Sequence, residues 1–251
     1  MTTNPHAIYE CLLDRVSSAL IEEVLIGLTW TLCRTDTYTG LAMSPPVLSR
    51  TLAWSGSLVG KNAMDLASWV RSWNPHEAVI GMAAINAVIN AGADALYTQA
   101  RRLPNTTLAN LAVFDYFLPD LQGQKVVVVG RYPFLERYSQ QMDLTVLERN
   151  PTADDYPDPA CEFLLPEADW VFLTASSIPN KTFPRLAELS KQAKLVLMGA
   201  TVPWLPELAT FGVDFLAGVK IENPTQLRQT VAEGGGVKIF EQGATYHVLA
   251  L

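Results

Sequence analysis

Glycine, hydroxyl-bearing and amide residues follow the apolar segments in the second half of the sequence, where they could bind a small molecule. Gly130 ends the run Val126-Val-Val-Val129, and Thr174 and Gly199 end two later apolar runs. Glycine lets a ligand approach the backbone closely, and hydroxyl and amide groups form hydrogen bonds with it. The candidate ligand-binding residues are Asn86, Gly130, Tyr132, Phe134, Glu148, Thr174, Asn180, Gly199 and Thr201.

The loop after Gly130 departs from the dinucleotide-binding fingerprint. Arg131 and Tyr132 stand where Gly-x-Gly-x-x-Gly requires small residues, which disfavours ordinary NAD or FAD binding. Glu148 lies 18 positions after Gly130, near the spacing of roughly 20 at which an acid holds a ribose in such folds. A nucleotide-like ligand is therefore one interpretation of Glu148, and an exposed acid at a strand end is the other.

Asn86 and Asn90 lie four positions apart in an otherwise apolar helical segment, so both carboxamides face the same way. A buried carboxamide without partners costs about 1–3 kcal/mol. The two side chains therefore either form hydrogen bonds with a neighbouring element or line a pocket. Asn86 is the stronger candidate for the pocket.

Metal coordination and nucleophilic catalysis have little support in the sequence. Cys11, Cys33 and Cys161 are widely spaced, which predicts reduced thiols and argues against a soft-metal site built from them. The acids between residues 154 and 169 lack the spacing of a calcium loop and are predicted to be solvated. No Gly-x-Ser-x-Gly motif occurs. Catalytic and metal-binding residues are therefore left unassigned.

The first half of the chain is predicted to be an α+β domain over residues 1–115, the amino-terminal half. Its last long helix begins at Asn74-Pro75, an Asn cap followed by proline in the first turn, and Gly92 suits its end. The predicted elements are a helix over residues 5–20, strands over 24–34, 40–43 and 51–54, and helices over 62–73 and from 75 onward.

Strands and helices alternate after residue 115, which predicts a doubly wound parallel sheet over residues 116–251, the carboxyl-terminal half. Ligands bind beyond the carboxyl ends of the strands in such sheets. The predicted strands cover residues 125–130, 144–147, 170–174, 195–199 and 213–217, the helices 134–141, 182–192 and 206–210, and a terminal hairpin 237–240 with 246–249; a connecting helix lies within 103–123.

The composition describes a soluble globular protein with two modest cores. The 251 residues are 49% hydrophobic and 17% charged, with a formal net charge of -7. Both halves are mildly acidic, which argues against nucleic-acid binding. The uncharged stretch over residues 78–93 is too short to span a bilayer, and the sequence start lacks the pattern of a signal peptide. We expect a cytoplasmic protein, and a homo-oligomer is compatible with its six tryptophans.

Several short motifs occur in a specific order along the chain. They are Ile80-Gly-x-Ala-Ala-Ile-Asn-Ala87, Gly130-x-Tyr-Pro-Phe134, Leu147-Glu148, Asp155-Tyr-Pro157, Leu165-Pro-Glu-Ala-Asp169, Asn180-Lys-Thr182, Gly199 through Pro203, and Gly212-Val-Asp214. Together they resemble one family over nearly the whole chain: the putative heavy-metal chelation domain proteins, long catalogued as a domain of unknown function. Ala200 stands where that family has proline, and Ser176 and Ser177 stand where glycine and threonine are more usual, which bears on ligand specificity and not on the fold.

The resemblance implies an α/β protein with an enolase N-terminal-like half, a Rossmann-like half and a ligand site in the cleft between them. The leading hypothesis is a protein that binds a heavy metal, a metal chelate or a small anionic molecule in that cleft. A metal ion or metal chelate is the implied cofactor. One alternative is an enzyme that uses a nucleotide-like cofactor such as S-adenosylmethionine. Another is a non-enzymatic subunit of a transport or assembly complex.

Overall fold

Two β-sheets organise the chain. A computed structural model describes residues 4–47, 49, 51–104, 108–152 and 154–251. In these residues a three-stranded antiparallel sheet lies in the amino-terminal half, and an eight-stranded, mostly parallel sheet occupies the carboxyl-terminal half. The predicted fold class, an α+β part followed by a doubly wound α/β part, is confirmed.

The amino-terminal half packs short helices on its small sheet. The sheet has the order β1-β2-β3, and both pairings are antiparallel. The elements are α1 (Ala7–Leu13), β1 (Glu23–Ile26), β2 (Trp30–Arg34), β3 (Thr39–Met43), α2 (Ala63–Ala67), α3 (Pro75–Ile89) and α4 (Asp94–Gln99).

Three predictions for this half are wrong in extent or type. The helix predicted over residues 5–20 ends at Leu13, since the serines that follow compete for backbone hydrogen bonds. The strand predicted over 24–34 is a hairpin of β1 and β2 that reverses after Gly27. Residues 51–54, predicted to be a strand, form part of a series of turns.

The long helix α3 begins as its sequence predicts. The Asn74 side chain accepts hydrogen bonds from the backbone N–H groups of His76 and Glu77, and Pro75 occupies the first turn. Every residue from 78 to 87 is buried, so the helix has no solvent-facing side over this stretch. Gly40 of β3 allows the close approach, because a Cβ there would lie 2.2 Å from the Ala83 carbonyl oxygen.

The carboxyl-terminal half alternates strands with helices, as predicted. Its large sheet also takes in β4 (Arg101–Arg102), so the predicted boundary at residue 115 leaves one strand of this sheet on the amino-terminal side. The other elements are α5 (Ala112–Leu121), β5 (Lys125–Val129), β6 (Asp143–Glu148), β7 (Tyr156–Pro157), α6 (Cys161–Leu164), β8 (Trp170–Thr174), α7 (Phe183–Leu189), β9 (Lys194–Met198), β10 (Phe215–Ile221), α8 (Pro224–Ala232) and β11 (Ala244–Ala250).

The strand order of the large sheet locates the point where its connections change direction. The order is β4-β11-β10-β9-β8-β5-β6-β7. From β5 the chain crosses to β6 on one side, and from β8 it crosses to β9 on the other. The carboxyl ends of β5 and β8 therefore lie side by side at the switch point, the usual place for a ligand in such a sheet.

Two predictions for this half are corrected. The terminal hairpin does not form, because residues 237–240 are a 3₁₀ helix; β11 pairs instead with β10, in the antiparallel register Phe215 to Ala250. The helix predicted over 134–141 is a single 3₁₀ turn, Leu135–Tyr138, since Phe134 before it adopts a left-handed backbone conformation.

The two halves share a core. One hydrophobic cluster joins Ile8 and Ala83 of the amino-terminal half to Leu173, Ile178 and Trp204 of the carboxyl-terminal half. The halves are thus packed directly against each other. In the part of the chain that the structure describes, we find no helix with the length and apolarity needed to cross a membrane.

Candidate functional site

A cavity of about 1060 Å³ lies between the two halves. It opens where the carboxyl ends of the large sheet face the small sheet and the start of α3. Seven of the nine candidate residues line it: Gly130, Tyr132, Glu148, Thr174, Asn180, Gly199 and Thr201. The size suits a drug-sized organic molecule, for which pockets of roughly 300–1,000 Å³ are usual.

Glycines shape the inner end of the cavity. Gly130 has φ +95°, and a Cβ there would lie 3.1 Å from Cγ2 of Thr174 on the neighbouring strand. Gly199 has φ +112°, and its missing side chain would lie 3.7 Å from the Tyr132 hydroxyl. Both positions need glycine for the backbone conformation, and the space that glycine leaves adjoins the cavity.

Glu148 holds the backbone of two loops. Its Oε2 accepts a hydrogen bond from the Arg131 N–H at 2.9 Å, and Oε1 accepts from the N–H groups of Arg149 at 2.8 Å and Asn150 at 3.2 Å. Most of its hydrogen-bonding capacity is therefore used inside the protein. This leaves little of the carboxylate for a ribose, which was one of the two interpretations of Glu148.

Asn86 joins the two halves and is not among the residues that line the cavity. It is fully buried, and its Nδ2 donates to the carbonyl oxygens of Leu41 at 2.7 Å and Thr201 at 2.9 Å. Thr201 completes the joint, since its hydroxyl accepts the Met43 N–H at 3.0 Å. Of the two roles that the sequence allowed Asn86, the structure places it in the hydrogen-bonded one.

Phe134 also lies outside the cavity lining. Its ring is 57% exposed, and its φ of +68° makes it the left-handed residue that precedes a 3₁₀ turn. The neighbouring Tyr132 and Pro133 line the cavity in its place. The Gly130–Phe134 loop thus contributes to the cavity wall, but Phe134 itself does not.

Asn180 fixes the loop that follows β8. Its Oδ1 accepts hydrogen bonds from the backbone N–H of Thr182 at 3.1 Å and from the Thr182 hydroxyl at 2.7 Å. Between them, Lys181 has a φ of +73°. A left-handed conformation is unfavourable for a lysine by about 1–2 kcal/mol, so the loop holds Lys181 in a strained position.

Lys181 lines the cavity, although it is not among the candidate residues chosen from the sequence. Its Nζ donates to the Pro179 carbonyl oxygen at 2.7 Å and lies 5.7 Å from the centre of the Tyr9 ring. No carboxylate of the described residues forms an ion pair with it. Burial lowers the pKa of this amine to about 8. The Asn180-Lys-Thr182 motif marked the segment, but nothing in the sequence marked the lysine.

The arginines on the cavity wall are all paired with acids. Arg131 Nε lies 3.1 Å from Oδ2 of Asp155, and Arg149 Nε lies 3.1 Å from Oδ2 of Asp158. Arg185 pairs with two glutamates, Glu162 of α6 and Glu188 of α7. Their charges are largely compensated within the protein, so Lys181 differs from them in having a positive charge with no acidic partner.

Asp155 shows that the Arg131 pair is part of the scaffold. The Asp155 side chain is 1% exposed. Burial acts to raise its pKa, but hydrogen bonds from the Thr152 backbone N–H and hydroxyl, together with the Arg131 guanidinium, outweigh this and hold the pKa below its usual range. The aspartate therefore stays ionised and keeps Arg131 in place.

Metal donors on the cavity wall are few and already engaged. They are the side chains of Glu148, Asp158 and Cys161, with Met43 as a lone thioether. Glu148 accepts three backbone N–H groups, Asp158 pairs with Arg149, and burial raises the pKa of the Cys161 thiol. Across the described ranges, no group of three or more His, Cys, Asp or Glu side chains is placed to hold a metal ion. This donor set does not fit a bare metal ion.

Two protein-family models match the chain, and both are described as putative heavy-metal chelation. One matches residues 112–250 and the other matches residues 9–89. The first alone spans more than half of the chain. The two matched regions correspond to the parts that carry the large sheet and the small sheet.

Individual relatives extend this similarity to the whole fold. An uncharacterized protein of Methanocaldococcus jannaschii is 30% identical over 172 residues, which cover 65% of this chain and 62% of that protein. A solved structure of a protein of unknown function from Desulfitobacterium hafniense has 32% identity and a TM-score of 0.87, with 98% of both chains covered. Another, from Pyrococcus horikoshii, has 24% identity and a TM-score of 0.81 over 98% of this chain and 99% of that one.

Proposed function

We propose that this chain, which belongs to the family described as putative heavy-metal chelation, binds a small organic anion in the cavity between its two halves. The observation that carries the proposal is that Lys181, a residue of the cavity wall, has an ammonium group with no acidic partner among the described residues. A partly buried positive charge attracts an anion more strongly than one in water does, because the surrounding dielectric constant is lower.

Hydroxyl-bearing residues that line the same cavity as Lys181 support binding of an oxyanion. Thr174 Oγ1 and Ser176 Oγ lie 3.0 Å apart at the carboxyl end of β8. The neighbouring Ser177 also lines the cavity, and its buried hydroxyl has no hydrogen-bond partner among the described residues. A carboxylate or phosphate could accept hydrogen bonds from such groups while Lys181 balances its charge.

Heavy-metal binding is compatible with this proposal if the metal is bound as a complex with an organic molecule. Since the donor set of the cavity does not suit a bare ion, the metal would enter as a complex whose organic part supplies the donor atoms. A negatively charged chelate would then be recognised as an anion by Lys181. A nucleotide-like cofactor has less support, because the Glu148 carboxylate that would bind its ribose already accepts hydrogen bonds from three backbone N–H groups.

Native mass spectrometry of gently purified protein tests the proposal. We compare the native and denatured masses of the wild type, of Lys181→Met and of Lys61→Met, which removes an exposed lysine that does not line the cavity. The expected result is an organic mass increment, with or without a metal, on the wild type and on Lys61→Met, and its loss from Lys181→Met.

A metal increment without any organic component, retained by Lys181→Met, would contradict the proposal. An organic increment of equal occupancy in all three proteins would also contradict it, because the ligand would then bind independently of Lys181.

A further inference from the structure

The cavity has two chemically different walls. All of its charged lining residues belong to the carboxyl-terminal half: Arg131, Glu148, Arg149, Asp158, Lys181 and Arg185. The amino-terminal half contributes no charged residue to the described lining. Its main apolar contributions, called here the uncharged wall, are Trp30, Pro45, Pro46, Val47, Trp73 and Val79. An occupant that contacts both walls must have a charged end and an apolar body.

Trp73 is the most exposed part of the uncharged wall. Its indole is 83% exposed, and it forms no ring pair with the other described aromatic residues. Its backbone is nevertheless well fixed, since the Asn74 N–H donates to the Ser72 hydroxyl at 3.0 Å and Asn74 itself caps α3. A large apolar surface is thus held on a rigid base at the edge of the cavity.

Trp30 provides a second indole, which is held in place. It is 8% exposed, and its Nε1–H donates to the Gly236 carbonyl oxygen at 3.0 Å. Because the polar edge of this ring is satisfied inside the protein, the part that lines the cavity offers only apolar surface. The exposed side chains of Val47 and Val237 line the same cavity and extend that surface.

We infer that the anion bound in this cavity carries a flat aromatic ring system, which packs on the uncharged wall against Trp73 while its charged group pairs with Lys181. This inference rests on the proposed function and narrows it to aromatic organic acids. Indole rings offer flat faces, and aromatic pairing adds about two- to tenfold in affinity beyond the apolar area that is buried.

Three probe molecules with the same carbon skeleton distinguish the contribution of the aromatic ring to affinity from that of the negative charge. They are 2-naphthoate, which is flat and anionic, decahydro-2-naphthoate, which is anionic but not flat, and 2-naphthalenemethanol, which is flat but neutral. Their affinities are measured by titration calorimetry against the wild type and the variants Trp73→Ala and Lys181→Met. Phe163→Ala is the matched control, because Phe163 is 77% exposed but does not line the cavity.

The expected order of affinity is 2-naphthoate first, with the other two probes at least about threefold weaker. Trp73→Ala should weaken 2-naphthoate by about tenfold and decahydro-2-naphthoate by less than about threefold, and Phe163→Ala should leave both unchanged. Lys181→Met should weaken the two acids and not the alcohol. The high exposure of Trp73 means that its replacement should not unfold the protein, which a melting curve checks.

Equal affinity for the two acids, or equal weakening of both by Trp73→Ala, would overturn the inference that the ligand carries an aromatic ring. If Lys181→Met still weakened both acids in that case, the proposed anion binding would stand. Acid binding that does not change in Lys181→Met would overturn the proposed function and this inference together. Failure of all three probes to bind at about 10 mM would overturn the inference as well.

Discussion

Replacing Asn86 with alanine should loosen the joint between the two halves. The substitution removes two buried hydrogen bonds, from Nδ2 to the carbonyl oxygens of Leu41 and Thr201, and leaves both acceptors without that donor. A typical bond contributes about 1 kcal/mol net, and an unsatisfied buried group costs about 1–3 kcal/mol. Asn86 Oδ1 is buried without a hydrogen-bond partner among the described residues, so its removal offsets part of this loss. We therefore expect the free energy of unfolding to fall by about 1–3 kcal/mol, out of the roughly 5–15 kcal/mol available to a folded protein.

Urea denaturation, followed by both far-ultraviolet circular dichroism and tryptophan fluorescence, measures this loss. Trp204 lies beside the joint, since its backbone N–H donates to Oδ1 of Asn90 at 2.9 Å, and it is one of the six tryptophans that contribute to the fluorescence signal. Asn90→Ala, at the C-cap of the same helix, is the matched control, because it removes one buried hydrogen bond where Asn86→Ala removes two. We expect about half the effect in this control.

A loss below about 1 kcal/mol in Asn86→Ala would refute the reasoning. So would a loss no larger than that of Asn90→Ala. Either result would mean that the two carbonyl oxygens find other donors, such as water, when the carboxamide is removed.

Three further predictions concern the cavity and the buried histidine. Gly130→Ala should destabilise the protein by at least about 1–2 kcal/mol, and by more than Gly123→Ala, whose Cβ would meet no neighbour within 4 Å; equal melting temperatures would contradict this. The affinity for 2-naphthoate should fall about tenfold per pH unit above the Lys181 pKa of about 8, as the amine loses its charge, and Lys181→Met should show no such fall in calorimetry between pH 7 and 10. Burial lowers the pKa of His247 below its ordinary 6.5, so the unfolded chain binds the proton more readily and stability should be lost as the pH falls below about 6.5. His247→Gln should reduce the difference between urea midpoints at pH 7.5 and 5.0, and an unchanged difference would contradict that assignment.

Much of the large sheet could be predicted from the sequence, because its central strands are continuous apolar runs. The segment 170–174 was predicted with the bounds that β8 has, β5 ends one residue earlier than predicted, and β9 is shifted by one residue from its predicted range. The amino-terminal half was predicted less well. A run such as residues 24–34 has the composition of one strand. In the structure the chain reverses within it, where the Gly27 N–H donates to the Trp30 carbonyl oxygen at 2.9 Å and β1 pairs with β2.

The structure brings most of the candidate residues to one cavity, and their role in binding stays a prediction. Parallel strand ends meet at one edge of a sheet, and this rule alone brought Gly130, Thr174 and Gly199 to the cavity. The role of Lys181 depends on its burial and on the distance to every acid, which no local pattern contains. The partners of Asn86 likewise lie 45 and 115 residues away in the chain, so spacing could show that it needed partners but not which ones.

The central claim is that an organic anion lies in the cavity with its charge on Lys181. The most direct test is a crystal structure of the protein soaked with 2-naphthoate. We expect electron density for the ligand between the two halves, with a carboxylate oxygen about 3 Å from Lys181 Nζ. A ligand bound elsewhere, or one in the cavity whose carboxylate points away from Lys181 and toward the paired arginines, would contradict it.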